Sequence, residues 1–234
     1  MSESGAWYSP WKAYNGTTEQ HENAVAMIGY MCGVLGWHED AVWGIIGNVA
    51  NESTLNPVLW QGRVDPYDAS GGGGFGLVQW TPFGKLTIWA HDNGLPIYSP
   101  YTQMDRMQYE LDNNLQWQYS GHPNAAAEGV PSGYTFAQYK TANGGTWDEQ
   151  YCAKVFYWYY EKSEAFTAGT RPSRAAAFKS WYYDTYVAGG GHTYHYYPWT
   201  RYPDPPYYDG TGTNIIWLLG KQKRLITQKG VITR

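Results

Sequence analysis

Glu52 is the residue whose place in the sequence most readily suggests chemistry. It follows a helical pattern whose apolar residues occupy i, i+3, i+4 and i+7 of one stripe: Val42, Ile45, Ile46 and Val49. At about 100° per residue, Glu52 falls beside Ile45 at the edge of this stripe. Partial burial and the negative end of a helix dipole both favour a protonated carboxyl, which glycosidic bond cleavage needs as its general acid. The plainer alternative is a half-exposed glutamate that bonds to a neighbour at a helix end.

The elements that would position Glu52 are mostly helices. Apolar periodicity predicts helices over about 17–35, 39–53, 86–93, 104–119, 147–166 and 174–186. Between the second and third helices, a glycine run at 71–74 precedes an extended segment at 75–80, which favours a small β-hairpin. The sequence therefore predicts an α+β fold, a mostly helical domain with a small β-hairpin element.

Other signatures of catalysis are missing from the sequence. It contains no G-x-S-x-G, H-E-x-x-H or Walker motif, and no G-x-G-x-x-G in a βαβ setting. His192 and His195 form an H-x-x-H pair without a further ligand cluster, so we expect neither a metal nor another cofactor.

Composition and charge argue against several classes of protein. The chain has 234 residues, of which 43% are hydrophobic, enough to fill a core of its own. Its net charge of −4 makes nucleic-acid recognition improbable, and no apolar stretch is long enough to span a membrane. The first residues lack the features of a secretory signal. Cys32 and Cys152 lie far apart in apolar runs, which is typical of buried free thiols.

The predicted domain organisation has three parts. Residues 1–16 are a loop-like leader, and residues 17–187 hold all the predicted helices. After residue 187 the composition shifts to glycine, proline, histidine and tyrosine, followed by an apolar cluster at 215–219 and several basic residues. We interpret 188–234 as an irregular C-terminal arm that attaches the chain to a partner. Aromatic residues make up 18% of the chain and suit either sugar stacking or protein interfaces.

Two motifs together resemble a known family. Residues 44–57 read GIIGNVANESTLNP, and residues 74–82 read GFGLVQWTP. In this order and separation they resemble the tail-tip (tail-knob) lysozymes of short-tailed phages that infect Gram-positive bacteria. The likeness continues more faintly near 104–117, 135–139 and 160–161, and covers roughly residues 20–187.

The resemblance implies a lysozyme-like fold and a role for Glu52 as general acid. Asp65 and Asp68 lie in the loop between the two motifs, where lysozyme-like folds usually place a second carboxylate. Either could instead be an ordinary turn residue beside Pro66. Many relatives use a water positioned by polar side chains, and lytic transglycosylases need no second carboxylate, so these outcomes stay open.

We expect the substrate contacts on the second motif and on the later helix. Gln79 can make paired hydrogen bonds to an N-acetyl group, and Trp80 can stack on a sugar face. The further candidates for substrate contact, after these two, are Phe75, Tyr160 and Glu161. For Trp80, packing beneath the hairpin is an equal alternative, and Glu161 has the alternative of a structural ion-pair or helix-cap residue.

The implied function is cleavage of the β-1,4 bond of bacterial peptidoglycan at the phage tail tip, during delivery of the genome. The partners would be glycan strands and, through the C-terminal arm, other tail proteins. Three alternatives remain: an inactive structural plug or glycan-binding module of the same fold, a lytic transglycosylase, and a free endolysin. The protein would be located in the virion and act at the host cell wall.

Overall fold

The computed structural model describes residues 17–60, 73–120, 122–142, 147–162 and 167–190. Within them lie seven α-helices, which are α1 Thr17–Gly33, α2 Glu39–Glu52, α3 Gly84–Asp92, α4 Pro100–Asp112, α5 Phe136–Lys140, α6 Glu149–Phe156 and α7 Arg171–Trp181. A 3₁₀ turn covers Ala125–Glu128, and π-helical segments extend α6 over Tyr157–Glu161 and α7 over Tyr182–Val187. The predicted leader and residues 191–234 of the predicted arm lie outside the described residues.

Helix α2 is the central element, and every residue from Asp40 to Ala50 is buried. Two glycines allow other helices to approach it closely. A Cβ atom at Gly44 would lie 2.6 Å from the Cβ of Cys152 on α6, and one at Gly47 would lie 2.4 Å from the carbonyl oxygen of Arg171 on α7. Contacts this short are not possible, so these two positions of α2 require glycine. The close approach brings the ends of three helices to Glu52.

Asn48 ties α2 to α6 by hydrogen bonds. Its Nδ2 donates to the carbonyl oxygen of Gly44 at 2.9 Å and to that of Ala153 at 3.0 Å.

Both cysteines are free thiols, as the sequence predicts. Cys152 is fully buried and Cys32 is half-buried.

Helices α2 and α7 run antiparallel, and charged or polar contacts join both of their ends. At one end, Lys179 Nζ lies 2.6 Å from Asp40 Oδ1. At the other end, Arg174 donates to the carbonyl oxygen of Ala50 at 2.9 Å, and Arg171 forms an ion pair with Glu52. The first turn of α7 therefore supplies a donor to one carbonyl of the last turn of α2 and a positive charge to its final side chain.

Aromatic side chains supply much of the core. Trp117 stacks on Phe136 with ring centroids 4.5 Å apart, and Phe156 stacks on Tyr160 at 4.4 Å. Both pairs lie among fully or nearly fully buried residues. Part of the high aromatic content thus serves packing within the domain.

Two predicted elements differ from the structure. No β-strand occurs in the described residues, so the predicted β-hairpin is not seen there; isolated antiparallel bridges join Trp60 to Phe75 and Phe75 to Trp80. Positive φ values at Gly76 (82°) and Gln79 (50°) close a tight turn that leaves no length for a ladder. Helix α4 ends at Asp112 instead of near residue 119, because the chain turns through left-handed residues, with φ of 50° at Asn114 and 64° at Gln116.

The helical part of the prediction fits the structure, and a lysozyme-like helical domain is consistent with it. None of the helices in the described ranges is both long and apolar enough to cross a membrane.

Candidate active site

Glu52 is the last residue of α2, and a quarter of its side chain is exposed to solvent. The neighbouring Ser53 is fully buried and fixes the helix end, since its hydroxyl donates to the carbonyl oxygens of Leu77 at 2.8 Å and Val49 at 3.2 Å. The Glu52 carboxyl is therefore carried by a rigid helix end and is still reachable from solvent. This position agrees with the edge of the apolar stripe that the sequence indicates.

Arg171, the first residue of α7, binds the Glu52 carboxylate through Nη2. Its Nη1 donates to the carbonyl oxygen of Ala168 at 3.3 Å, and its guanidinium lies 4.3 Å from the ring centroid of Tyr157. A negative charge at a helix C-terminus and a positive charge at an N-terminus each oppose their own helix dipole. Here Glu52 faces the N-terminus of α7 and Arg171 faces the C-terminus of α2, so each charge is stabilised by the dipole of the other helix.

Glu161 ends the π-helical segment that follows α6, and Lys162 then adopts a left-handed conformation with φ of 53°. The Glu161 residue is half-buried, but its Oε1 is inaccessible to solvent and has no hydrogen-bond partner in the described part of the chain. Burial raises the pKa of Glu161 well above its usual range, and the charges of Glu52 and Glu110 act in the same direction while Arg171 opposes them. Glu161 is therefore a carboxyl that favours its protonated form.

Unpartnered buried polar atoms concentrate around Arg171. Six side-chain atoms in the described parts of the chain are buried without a hydrogen-bond partner, and three of them are Tyr157 Oη, Glu161 Oε1 and Arg171 Nε. Buried polar groups are normally satisfied, so three such atoms in one place make it a candidate site. We call Glu52, Tyr157, Glu161 and Arg171 the Glu52 site.

A second carboxyl cluster lies close by and has a different character. Glu110 on α4 is 1% exposed and accepts hydrogen bonds from Trp80 Nε1 at 3.1 Å, from Arg106 Nε at 2.9 Å and from the hydroxyl of Tyr160. Both of its oxygens are thereby occupied. We call Trp80, Arg106, Glu110 and Tyr160 the Glu110 network.

Three of the predicted substrate contacts are buried in the structure. Phe75 is fully buried against Trp60, with ring centroids 4.3 Å apart, and Trp80 and Tyr160 are 2% and 1% exposed. In this arrangement their rings present almost no surface to a sugar. For Trp80, the observation favours packing over stacking, which the sequence leaves as equal alternatives.

Gln79 is half-buried, and its amide is used within its own segment. Nε2 donates to the carbonyl oxygens of Gly76 at 2.7 Å and Leu59 at 3.1 Å. Gln103 on α4 also binds this segment, since its Oε1 accepts a hydrogen bond from the backbone N–H of Leu77 at 2.8 Å. The second motif is thus tied to α4 and to the segment that follows α2.

The structure brings Glu161 to Glu52, whereas Asp65 and Asp68 lie outside the described residues, as do His192 and His195. In the portion that the structure describes, no group of three or more His, Cys, Asp or Glu side chains is arranged to hold a metal ion.

Sequence reasoning missed Arg171 and Tyr157. One signal for Arg171 was present in the sequence. Arg171 precedes Pro172, a residue common in the first turn of a helix, and a basic residue at a helix N-terminus is unfavourable unless it meets an anion.

Comparison with known proteins agrees with the motifs. A family model described as "Phage tail lysozyme" matches residues 22–184, well over half of the chain. "Morphogenesis protein 1" of Bacillus phage B103 is 42% identical over 105 residues, which are 45% of this chain and 28% of that protein. The aligned part thus spans less than a third of that relative. Because the family model covers most of the helical domain and both motifs, the chain belongs to the phage tail lysozyme family.

Proposed function

We propose that this protein degrades peptidoglycan as a component of a phage tail, cleaving the β-1,4 glycosidic bond with Glu52 as general acid. The observation that carries the proposal is the pairing of Glu52, reachable from solvent, with Glu161, a carboxyl whose pKa burial raises. Glycosidases depend on carboxyl groups whose environments keep one of them protonated near neutral pH. Glu52 has the exposure that contact with a substrate requires.

In the proposed reaction, Glu52 protonates the leaving oxygen, and a carboxylate or a positioned water resolves the oxocarbenium-like centre. Asp65 and Asp68 stay candidates for that second carboxylate. They follow α2 in the sequence, a few residues beyond Trp60, the last described residue before them.

Gln79 remains the candidate for binding an N-acetyl group, because its residue is half-buried and lies at the turn of the second motif. We assign Phe75, Trp80 and Tyr160 to the support of this surface from within. Tyr157 is fully buried, and we assign it to the support of Arg171 from within.

We further propose that the protein acts from the virion, at the tail tip, while the genome is delivered. The relative from phage B103 is named a morphogenesis protein, which supports a structural place in the particle. Residues 188–234 would then attach the domain of residues 17–187 to other tail proteins.

A catalytically inactive plug or glycan-binding module is the second candidate function. The Glu52–Arg171 ion pair favours it, because a carboxylate held by a guanidinium has no proton to give. A lytic transglycosylase would use the same acid and differ in its products.

The test is turnover of purified Gram-positive peptidoglycan by the wild type and by Glu52→Gln, with products identified by mass. The proposal predicts released muropeptides and a loss of at least about a hundredfold in the variant, a typical contribution of a general acid. Reducing ends indicate a hydrolase, and 1,6-anhydro ends a transglycosylase. Binding to the wall without products from either protein would establish the binding module instead.

A further inference from the structure

The arrangement of the Glu52 site poses a problem for acid catalysis. Arg171 binds the Glu52 carboxylate, so in this arrangement the residue proposed to donate a proton carries none. A proton must reach Glu52 before each cleavage, and Arg171 must then lose its anionic partner. The structure contains a group that meets each of these two needs.

Glu161 can supply the proton. Burial and the neighbouring charges of Glu52 and Glu110 raise its pKa, so its carboxyl keeps a proton to higher pH than an ordinary glutamate does. Two carboxyls that interact in this way can exchange a proton. Exchange of that proton between them leaves the charge of the site unchanged.

Glu161 can also receive Arg171. The guanidinium uses Nη1 and Nη2, while its Nε is buried and has no acceptor among the described residues. Glu161 Oε1 is buried and likewise has no donor in that part of the chain. One unpaired N–H group and one unpaired oxygen thus belong to residues that already interact electrostatically, and each group gains a partner if the two come together.

We propose that Arg171 and Glu161 are positioning residues that switch Glu52 between two states, an inference that rests on the function proposed above. In the resting state, Arg171 binds the ionised Glu52 and Glu161 holds the proton. In the working state, the Glu161 carboxyl has given its proton to Glu52, and Arg171 binds the resulting Glu161 carboxylate through Nε.

Both states contain one proton, one carboxylate and one guanidinium, so the exchange is balanced. During cleavage Glu52 passes the proton to the leaving oxygen, which leaves both carboxyls ionised. The water that attacks the anomeric carbon loses a proton, and this proton restores the pair.

The remaining charges around Glu161 do not compete for Arg171. Glu110 on α4 faces Glu161, but Arg106, Trp80 and the hydroxyl of Tyr160 occupy its oxygens. Among the described residues, the charged groups that act on Glu161 are therefore Glu52 from α2, Arg171 from α7 and the fixed Glu110 from α4.

The first test compares the pH dependence of kcat/KM on peptidoglycan for the wild type, Glu161→Gln and the control Glu149→Gln. Glu149, at the start of α6, accepts a hydrogen bond from Lys179 on α7 and is not one of the residues of the Glu52 site. The amide in Glu161→Gln cannot hold or pass on the shared proton. We expect its alkaline limb to move to lower pH by about one unit or more, with KM unchanged and with activity at neutral pH reduced at least about tenfold. Glu149→Gln should follow the wild type, and a Glu161→Gln profile equal to the wild-type profile would overturn the inference.

The second test does not depend on activity. A carboxyl ¹³C NMR titration should show that Glu161 loses its proton at lower pH in Glu52→Gln than in the wild type, because Arg171 then has only Glu161 to bind. A Glu161 that titrates alike in the two proteins would show that Arg171 does not move between the two carboxyls, and would overturn the inference. Absence of peptidoglycan turnover by the wild type would instead overturn the proposed function, and this NMR comparison would still decide the exchange.

Discussion

The Glu110 network and the Glu52 site are built from the same kinds of side chain and differ in how completely these are satisfied. Each combines glutamate, arginine and tyrosine. In the first, Trp80, Arg106 and Tyr160 occupy both oxygens of Glu110. In the second, three buried atoms of Tyr157, Glu161 and Arg171 have no partner among the described residues. A closed network stabilises the fold, whereas open groups can accept a proton or a new partner from within the protein.

Two consecutive residues, Tyr160 and Glu161, connect the two clusters. Tyr160 points its hydroxyl to Glu110, and the next residue, Glu161, interacts with Glu52 and Arg171. The π-helical segment Tyr157–Glu161 makes this divergence possible, and such segments are often found at functional sites. The comparison predicts that changes in the Glu110 network alter stability first and that changes in the Glu52 site alter chemistry first.

Removal of Glu110 should have the largest effect on stability. Glu110→Ala leaves the buried guanidinium of Arg106 without its carboxylate, which typically costs about 3–5 kcal/mol of unfolding free energy. Urea unfolding measures the loss. Asp112→Ala is the matched control, since this residue of the same helix is exposed and should change the unfolding free energy by no more than about 0.5 kcal/mol. Equal stability of the two variants would contradict a structural role for the network.

Trp80→Phe should lower the unfolding free energy by about 1.5–3 kcal/mol, because it removes a hydrogen bond to the carboxyl of Glu110. Affinity for peptidoglycan, measured by co-sedimentation, should not change. Trp43→Phe is the control, since Trp43 is also fully buried but its Nε1 has no partner among the described residues, so this change should lower the unfolding free energy by less. A drop in affinity with stability retained would assign Trp80 to sugar stacking.

Gly47→Ala should cost about 1–3 kcal/mol, because the added Cβ would meet the backbone of Arg171 and push α7 away from α2. Since α7 carries Arg171, turnover of peptidoglycan by the folded protein should fall as well. Gly33→Ala, with no atom near its added Cβ, should reduce neither thermal stability nor turnover. If Gly47→Ala kept full stability, the close contact of α2 with α7 would not be required.

Glu161→Gln should flatten the pH dependence of stability. The folded-state pKa of Glu161 lies above its unfolded value, so stability from the protonated form is complete below the unfolded pKa and is lost as the pH rises toward the folded pKa. The wild type should therefore lose up to about 1.4 kcal/mol per pH unit relative to Glu161→Gln, starting near the ordinary range of a glutamate. Urea unfolding at several pH values measures this difference. Parallel curves would show that Glu161 titrates normally.

The sequence predicted the features that depend on local pattern. The apolar stripe of α2 indicated helix 39–53, and the structure has Glu39–Glu52 with Glu52 at the half-exposed end. The motif residues Gly47, Asn48 and Ser53 prove to serve helix contacts and the helix end. A family motif can thus locate a site although most of its residues support the site without taking part in it.

Features that depend on contacts between distant residues were not predictable. Arg171 meets Glu52 across 119 positions of sequence, and no periodicity reports such a pairing. Trp80 and Tyr160 have the composition of sugar-binding residues, and only their tertiary surroundings show that they are buried. The end of α4 depended on left-handed residues at Asn114 and Gln116, which are not glycines and carry no strong turn signal.

The most direct test of the contrast between the two clusters is a joint measurement of peptidoglycan turnover and unfolding free energy for Glu52→Gln and Glu110→Gln. Both changes replace one carboxylate oxygen by an amide nitrogen. We predict that Glu52→Gln loses at least about a hundredfold in turnover with little change in stability. Glu110→Gln should lose stability while its folded fraction turns over substrate at close to the wild-type rate. Wild-type turnover by Glu52→Gln would contradict the account.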